Sequence, residues 1–212
     1  MGGGCNRMPG RETYYVGSFC ENDCFKGYGG CDASFDGLVT KTHDTCEMKP
    51  ETKVMAFVNM DAVNLAVDKA TKEGKSIFLY TPDMFSKFYL ENCFQLLPPK
   101  PLAYISVNAC VRTLIDSNIL LEDIRFKGIR EIWLGVESGE RSLRDKYNKL
   151  PFTNEELSQL TRKADMSGIH VCWYLVDGKE DTIETKITTY ELIKTANPFR
   201  VYLGELLAYQ TI

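Results

Sequence analysis

Six short apolar runs alternate with longer amphipathic segments along most of this 212-residue chain. β-Branched and aromatic residues dominate these runs, and most of the runs are nearly continuous in apolar character. Strands that are apolar on both faces are typical of a parallel sheet with helices packed against it. The predicted strands are Tyr14–Val16, Ser76–Tyr80, Ala103–Val107, Ile129–Val136, Ile169–Val176 and Arg200–Leu203.

The segments between the runs carry helical periodicity and helix-end signals. Apolar residues recur near helical spacing from Val54 onward, and Gly74 stands where such a helix commonly ends. Thr153 and Glu156 form the capping-box pattern that begins a helix. The predicted helices span 54–74, 85–97, 117–126, 153–167 and 182–195.

This alternation predicts an α/β fold of mostly parallel strands. Crossovers between parallel strands are right-handed, so the chain forms either a barrel or a doubly wound open sheet. Neither Gly-x-Gly-x-x-Gly after the first strand nor Gly-x-x-x-x-Gly-Lys-Ser/Thr is present, which disfavours those nucleotide-binding folds. In both architectures, sites lie at the carboxyl ends of the strands. We expect one domain over 13–212 after a flexible N-terminal segment over 1–12.

Composition and charge are typical of an ordinary globular protein. The net charge of −4 gives no global basic field for nucleic acid or anionic membranes. No apolar run approaches the roughly 20 residues that span a bilayer, and the N-terminus lacks a signal-peptide pattern. Eight cysteines without a secretion signal favour a reducing compartment, so we expect a cytoplasmic protein. Cys93, Cys110 and Cys172 stand singly in apolar runs, where we expect buried thiols.

The other five cysteines lie within the first 46 residues. Cys20, Cys24 and Cys31 occupy a glycine-rich loop that follows the first predicted strand. Thiolates on a loop at a strand's end are suited to a soft metal or an iron–sulfur cluster. A zinc site made by these three cysteines with Cys5 is the alternative, but its first interval of fourteen residues suits no common compact zinc knuckle.

Three segments carry a pattern known from one family of enzymes. The first is the block from Gly128 to Gly139, which reads GIREIWLGVESG, and the second runs from Gly168 to Thr182. The third is the strand followed by the cysteine loop. Together these segments resemble the radical S-adenosylmethionine (SAM) superfamily, and within it they are similar to the branch typified by cobalamin-associated radical SAM enzymes and methylthiotransferases. Leu143, Lys149 and Thr153 extend the similarity beyond the first block.

The resemblance implies a partial (β/α)6 TIM-like barrel that holds a 4Fe–4S cluster on three cysteines. SAM would chelate the remaining iron, and one electron would cleave it to methionine and a 5′-deoxyadenosyl radical that attacks an unidentified substrate. A one-electron donor of flavodoxin or ferredoxin type is then an expected partner. The alternative from another class is a non-catalytic α/β protein with a zinc-binding cysteine loop.

The sequence departs from the superfamily pattern at the third cysteine. The usual spacing is Cys-x3-Cys-x2-Cys, whereas this chain has Cys20-x3-Cys24-x6-Cys31. The expected metal ligands are therefore Cys20, Cys24 and Cys31, with Cys5 or Cys46 as alternatives for the third position. Two further segments also depart from the superfamily pattern. Thr81-Pro82-Asp83 follows the second strand in place of a glycine pair with glutamate, and Asp177-Gly178-Lys179-Glu180 follows the fifth in place of Gly-Leu-Pro-Gly-Glu.

Four residues at predicted strand ends are candidates for binding SAM through this resemblance. Glu137 and Ser138 follow the fourth strand, and their alternative role is to cap the next helix. Arg112 offers bidentate donors to a carboxylate, or is an ordinary surface arginine. Glu180 follows the fifth strand, and the resemblance implies that it would line the adenosine pocket; its alternative is a solvated loop carboxylate. No catalytic residue is assigned.

Overall fold

The computed structural model describes residues 13–17, 60–81, 83–147 and 149–205. All five cysteines of the N-terminal group, and with them every predicted metal ligand, lie outside the described residues. The division into 1–12 and 13–212 stays a prediction. None of the helices in the described ranges has the length and apolar character needed to cross a membrane.

The six predicted strands form one fully parallel sheet whose spatial order is the order of the chain, β1-β2-β3-β4-β5-β6. Each strand pairs with the next one in sequence, and no described residues pair β1 with β6. The strands are β1 Thr13–Gly17, β2 Ser76–Tyr80, β3 Ile105–Ala109, β4 Ile129–Glu137, β5 His170–Asp177 and β6 Arg200–Glu205.

Helices connect successive strands wherever the connection is described. The Thr153–Glu156 capping box is present, with both reciprocal hydrogen bonds, at the start of α6. Gly74 follows α1 with a φ of 66°, the left-handed conformation expected at a helix end. The helices are α1 Met60–Lys72, α2 Lys87–Tyr89, α3 Val111–Asp116, α4 Leu121–Phe126, α5 Arg141–Lys146, α6 Asn154–Met166 and α7 Ile183–Ala196.

All these connections advance in the same direction, and the buried faces of the helices join a single core on one side of the sheet. A sheet that is always extended the same way, with right-handed crossovers, collects its helices on one face and curls around the other. The predicted partial (β/α)6 barrel is therefore confirmed. The inner face of this partial barrel is the face that the helices leave uncovered.

The two faces of the sheet carry separate apolar clusters. Alternate residues of β4 and β5, such as Leu134 and Trp173, face the helices and are completely buried. The residues between them face inward, where Trp133 and Cys172 join Phe78 of β2 in a second cluster. This alternation explains why the strands read as continuously apolar, since each face of the sheet carries an apolar cluster.

Two helical predictions differ from the structure. The helix predicted over 117–126 begins only at Leu121, because Asn118 adopts a left-handed φ of 51° and interrupts the chain after α3. The helix predicted over 85–97 is a single α-helical turn that continues as a π-helix over Leu90–Phe94. Both differences lie in the outer layer and leave the strand order unchanged.

The three isolated cysteines follow the sequence prediction in part. Cys93 and Cys172 are buried, and desolvation raises the pKa of both thiols, that of Cys93 to about 11. Cys110 is only half-buried, because it immediately follows β3 at the edge of the sheet.

Replacing Gly128 tests how closely the turn that precedes β4 is packed. It has a φ of 88°, and a Cβ there would lie 2.4 Å from the Lys100 carbonyl oxygen, whereas a Cβ on Gly74 would meet nothing within 4 Å. We expect Gly74→Ala to lower the free energy of unfolding by about 1–2 kcal/mol through backbone strain alone. Gly128→Ala should cost about 3 kcal/mol or more, because overpacking adds to that strain. Urea denaturation of both variants measures the difference, and equal losses would show that the turn relaxes freely.

Candidate functional site

The carboxyl ends of the six parallel strands meet at one edge of the partial barrel, here called the mouth. β1 ends at Gly17 and β4 ends at Glu137, so both strands reach the mouth. Cys20 is the third residue after Gly17 in the sequence. Functional sites of α/β proteins lie at this edge because the loops that leave it converge.

Glu137 has the most unusual backbone at the mouth. Its φ is 65°, in the left-handed region that a non-glycine residue rarely adopts. The register of β4 on β5 shifts between Gly135 and Glu137, which makes Val136 the extra residue of a β-bulge. Left-handed non-glycine residues cost about 1–3 kcal/mol each and are concentrated at functional sites. The bulge re-aims the Glu137 side chain relative to the strand that precedes it.

The Glu137 carboxylate forms an ion pair with the Lys149 ammonium, with 2.6 Å between Oε1 and Nζ. Only 14% of the Glu137 side chain and 28% of the Lys149 side chain are exposed, so solvent screens this pair less than a surface pair. Lys149 reaches across Gly135, where a Cβ would lie 3.0 Å from its Nζ. The mouth therefore presents a carboxylate and an ammonium side by side, which suits a ligand with both donor and acceptor groups.

Asp83 fastens the loop after β2 to the beginning of α3. Its Oδ1 accepts hydrogen bonds from the backbone N–H groups of Phe85 and Cys110, both at 3.2 Å. Its Oδ2 accepts one from the Thr113 hydroxyl at 2.7 Å. Burial and the nearby Asp83 carboxylate raise the pKa of the Cys110 thiol, so this half-buried thiol is kept protonated.

Several polar atoms near the mouth are buried without a hydrogen-bond partner in the described part of the chain, among them one on the inner face and one against Gly178. One is the side-chain oxygen of Asn108. Because Asn108 is paired in register with Trp133, it lies on the inner face. The other is the Tyr147 hydroxyl, which packs so closely on Gly178 that a Cβ there would lie 2.4 Å from it. Burial, followed by the nearby carboxylates of Asp181 and Glu180, raises the Tyr147 pKa. Unpaired buried polar atoms are sites that a polar ligand can satisfy.

Ser138, a predicted SAM contact, is turned into the protein. Its hydroxyl accepts a hydrogen bond from the Glu140 N–H at 3.1 Å and lies 3.3 Å from the Thr189 hydroxyl of α7. The neighbouring turn is held by the buried Arg144, whose guanidinium donates to the Ser138 and Phe152 carbonyls. These bonds fix the path of the chain directly after Glu137.

Arg112 and Glu180 have charged partners of their own. Arg112 binds Asp116 and the capping-box residue Glu156 at 2.5 Å and 3.0 Å, and these hydrogen bonds raise its pKa. The exposed Glu180 pairs with Lys146 at 2.8 Å, and this hydrogen bond lowers the Glu180 pKa. Contact of either residue with SAM stays a prediction.

Lys149 is the residue of the mouth that the sequence argument left out of the predicted site. It extends the sequence resemblance beyond the first block, and the resemblance assigns it no role. The described residues contain no group of three or more histidine, cysteine or carboxylate side chains placed to hold a metal ion. The predicted cluster ligands stay a prediction, since all of them lie outside those residues.

Solved structures with a similar fold are radical SAM enzymes. The methyltransferase TsrM from Kitasatospora setae, solved with cobalamin and a [4Fe–4S] cluster, matches with a TM-score of 0.54 at 13% identity over 68% of this chain. Coproporphyrinogen III oxidase (HemN) from Escherichia coli matches with a TM-score of 0.51 at 17% identity over 95% of this chain. The chain therefore has the fold of radical SAM enzymes, and the resemblance stated from the sequence is confirmed at that level.

This chain spans only part of those proteins, 30% of the TsrM chain and 46% of the HemN chain. No family model matches the sequence, and no curated protein does. The similarity thus rests on three-dimensional structure.

A double-mutant cycle tests whether Glu137 and Lys149 are coupled. We expect Glu137→Gln and Lys149→Met to interact by about 1–3 kcal/mol in the free energy of unfolding, because the pair is largely shielded from water. The exposed pair Arg141–Asp145, at 3.8 Å, is the matched control and should show less than about 0.5 kcal/mol. Chemical denaturation of the four variants of each cycle measures both values. Equal coupling in the two cycles would show that the mouth pair is solvated like a surface pair.

Proposed function

We propose that this protein is a radical SAM enzyme that binds a 4Fe–4S cluster and SAM at the mouth of the partial barrel. The cluster, when reduced, would supply the electron that cleaves SAM to a 5′-deoxyadenosyl radical, and the substrate is not identified. Cys20, Cys24 and Cys31 are the proposed cluster ligands. A flavodoxin or ferredoxin is the proposed electron donor.

One observation carries this proposal. β1 and β4 both end at the mouth, so the segment that follows β1 begins at the same edge of the sheet as Glu137, the last residue of β4. The cysteine loop begins directly after β1, so the sequence connects the thiols to the edge that holds the strained glutamate. The fold shared with TsrM and HemN supports the same chemistry, since both of those proteins are described as radical SAM enzymes.

The residues of the mouth suit the polar groups of SAM. The Glu137 carboxylate can accept hydrogen bonds from an ammonium or from ribose hydroxyls, and the Lys149 ammonium beside it can donate to a carboxylate. Their mutual ion pair keeps both side chains in place before a ligand arrives, which lowers the ordering cost of binding. The hydrogen bonds of Arg144 and Ser138 fix the turn that directly follows Glu137, which helps to hold the Glu137 side chain in place.

Replacing one proposed ligand tests the cluster. After anaerobic reconstitution the wild-type protein should be brown and absorb near ~400 nm, and Cys24→Ala should retain less than roughly a tenth of its iron. Cys93→Ala is the matched control, because this buried thiol belongs to the helix-side core, and it should reconstitute fully. Iron analysis and absorbance measure both. Full reconstitution of Cys24→Ala, or a colourless protein with stoichiometric zinc, would contradict the proposal.

Removing the charge of Glu137 tests the SAM site separately. We expect Glu137→Gln to weaken SAM binding by about ten- to a hundredfold, the value of a charge-assisted hydrogen bond, without changing the iron content. Glu155→Gln, on the exposed first turn of α6, is the control and should bind SAM normally. Calorimetry measures binding, and release of 5′-deoxyadenosine on reduction measures cleavage. Unchanged affinity in Glu137→Gln would remove Glu137 from the site.

A further inference from the structure

The inner face of the partial barrel carries three aromatic rings in contact across β4, β5 and β6. The rings of Trp133 and Tyr174 have centroids 4.8 Å apart and are tilted by 33°, and Tyr202 meets Tyr174 edge-on at 5.8 Å. Trp133 is buried, Tyr174 is half-buried and 37% of Tyr202 is exposed. We call these three residues the aromatic ladder. It becomes more accessible toward β6, the last strand of the sheet.

The register of the strands explains how the ladder forms. Gly135 is paired with Tyr174 and Tyr174 with Tyr202, so these three positions lie in one row across the face. The space over Gly135 is taken by the Lys149 ammonium and the Glu137 carboxylate, and the Tyr174 ring leans diagonally onto Trp133, which is one row below. Trp133 is held in turn by Glu131, whose buried carboxylate accepts the indole N–H at 2.6 Å.

A guanidinium lies beside this ladder without a carboxylate partner among the described residues. Arg200, the first residue of β6, has its guanidinium carbon 5.9 Å from the Trp133 ring centroid and 5.5 Å from that of Phe199. No ion pair or hydrogen bond of the Arg200 side chain is found within the described ranges. Arginines of this kind are well suited to bind a carboxylate or phosphate with two parallel hydrogen bonds.

We propose that the aromatic ladder and Arg200 form a binding site for a flat aromatic molecule that carries an anionic group. The ring of the ligand stacks on the partly exposed Tyr202, whose ring Tyr174 fixes edge-on, and the carboxylate or phosphate of the ligand binds the Arg200 guanidinium. An apolar molecule would leave the guanidinium unused, and an aliphatic anion would leave the rings unused. The binding stands on its own geometry, and only the role of the bound molecule as the substrate rests on the proposed function.

A set of matched probes tests this site on the full chain. The probes are 1-naphthoate, 1-naphthyl phosphate, the neutral 1-naphthamide and the non-aromatic cyclohexanecarboxylate. Calorimetry is run anaerobically on the reconstituted protein with SAM bound, and again on the protein without a cluster. We expect 1-naphthoate or 1-naphthyl phosphate to bind at least about tenfold more tightly than the amide or the aliphatic acid. The stronger of the two anions identifies the charged group that the site takes.

Two variants separate the contributions of the charge and the rings. Arg200→Gln should weaken binding of the aromatic anion about tenfold and leave 1-naphthamide within about twofold, because only the anion uses the guanidinium. Tyr202→Ala should weaken both ring-containing probes about fivefold through lost stacking. The matched controls are Arg141→Gln and Tyr190→Ala, since both side chains are exposed on helices and lie off the inner face.

The proposal is overturned if neither aromatic anion binds. It is equally overturned if the control variants lose as much affinity as Arg200→Gln and Tyr202→Ala. Anion binding that persists while the protein releases no 5′-deoxyadenosine from SAM would contradict the proposed function and would still support the binding site formed by the aromatic ladder and Arg200. Cleavage of SAM without binding of any probe would support the proposed function and overturn the proposed site for an aromatic anion.

Discussion

The parallel pairing of six consecutive strands is the constraint on which the rest of this structure depends. Each strand must be followed by a crossover, and crossovers that always advance in the same direction gather the helices on one face. The opposite face is left to curl inward, and every strand delivers its carboxyl end to the same edge. The mouth, the inner aromatic face and the exit of the chain toward its cysteines all follow from this one arrangement.

The mouth also shows how the fold maintains local strain. The bulge and the left-handed Glu137 are unfavourable by themselves, at about 1–3 kcal/mol for the backbone alone. They persist because contacts with neighbouring residues hold the chain in this conformation. Lys149 pairs with the carboxylate, and Arg144 fastens the turn that follows through two backbone carbonyls. A shielded ion pair next to strained backbone is typical of a site organised for binding more than for stability.

Most of the fold was predictable from local patterns, and the site was predictable only in part. The strands and α6 were recognised because apolar runs and a capping box depend on neighbouring residues alone. The break at Asn118 was missed because a left-handed residue leaves little trace in periodicity, and the short α5 was missed because six residues carry little periodic signal. Glu137 was found as an acid that ends an apolar strand. Its pairing with Lys149 was not, since a loop and a helix separate the two residues.

The sequence by itself determined the class of fold, the order of the strands and of most helices, and the edge of the sheet where its acidic and thiol residues occur. These properties follow from hydrophobic periodicity and chain connectivity, which are local. Only the tertiary structure decided which side chains meet: that Ser138 turns toward α7, that Arg112 is engaged by Glu156, and that Arg200 lies over the ring of Trp133. Such contacts join residues far apart in the chain, so strand register and packing, and no local pattern, select them.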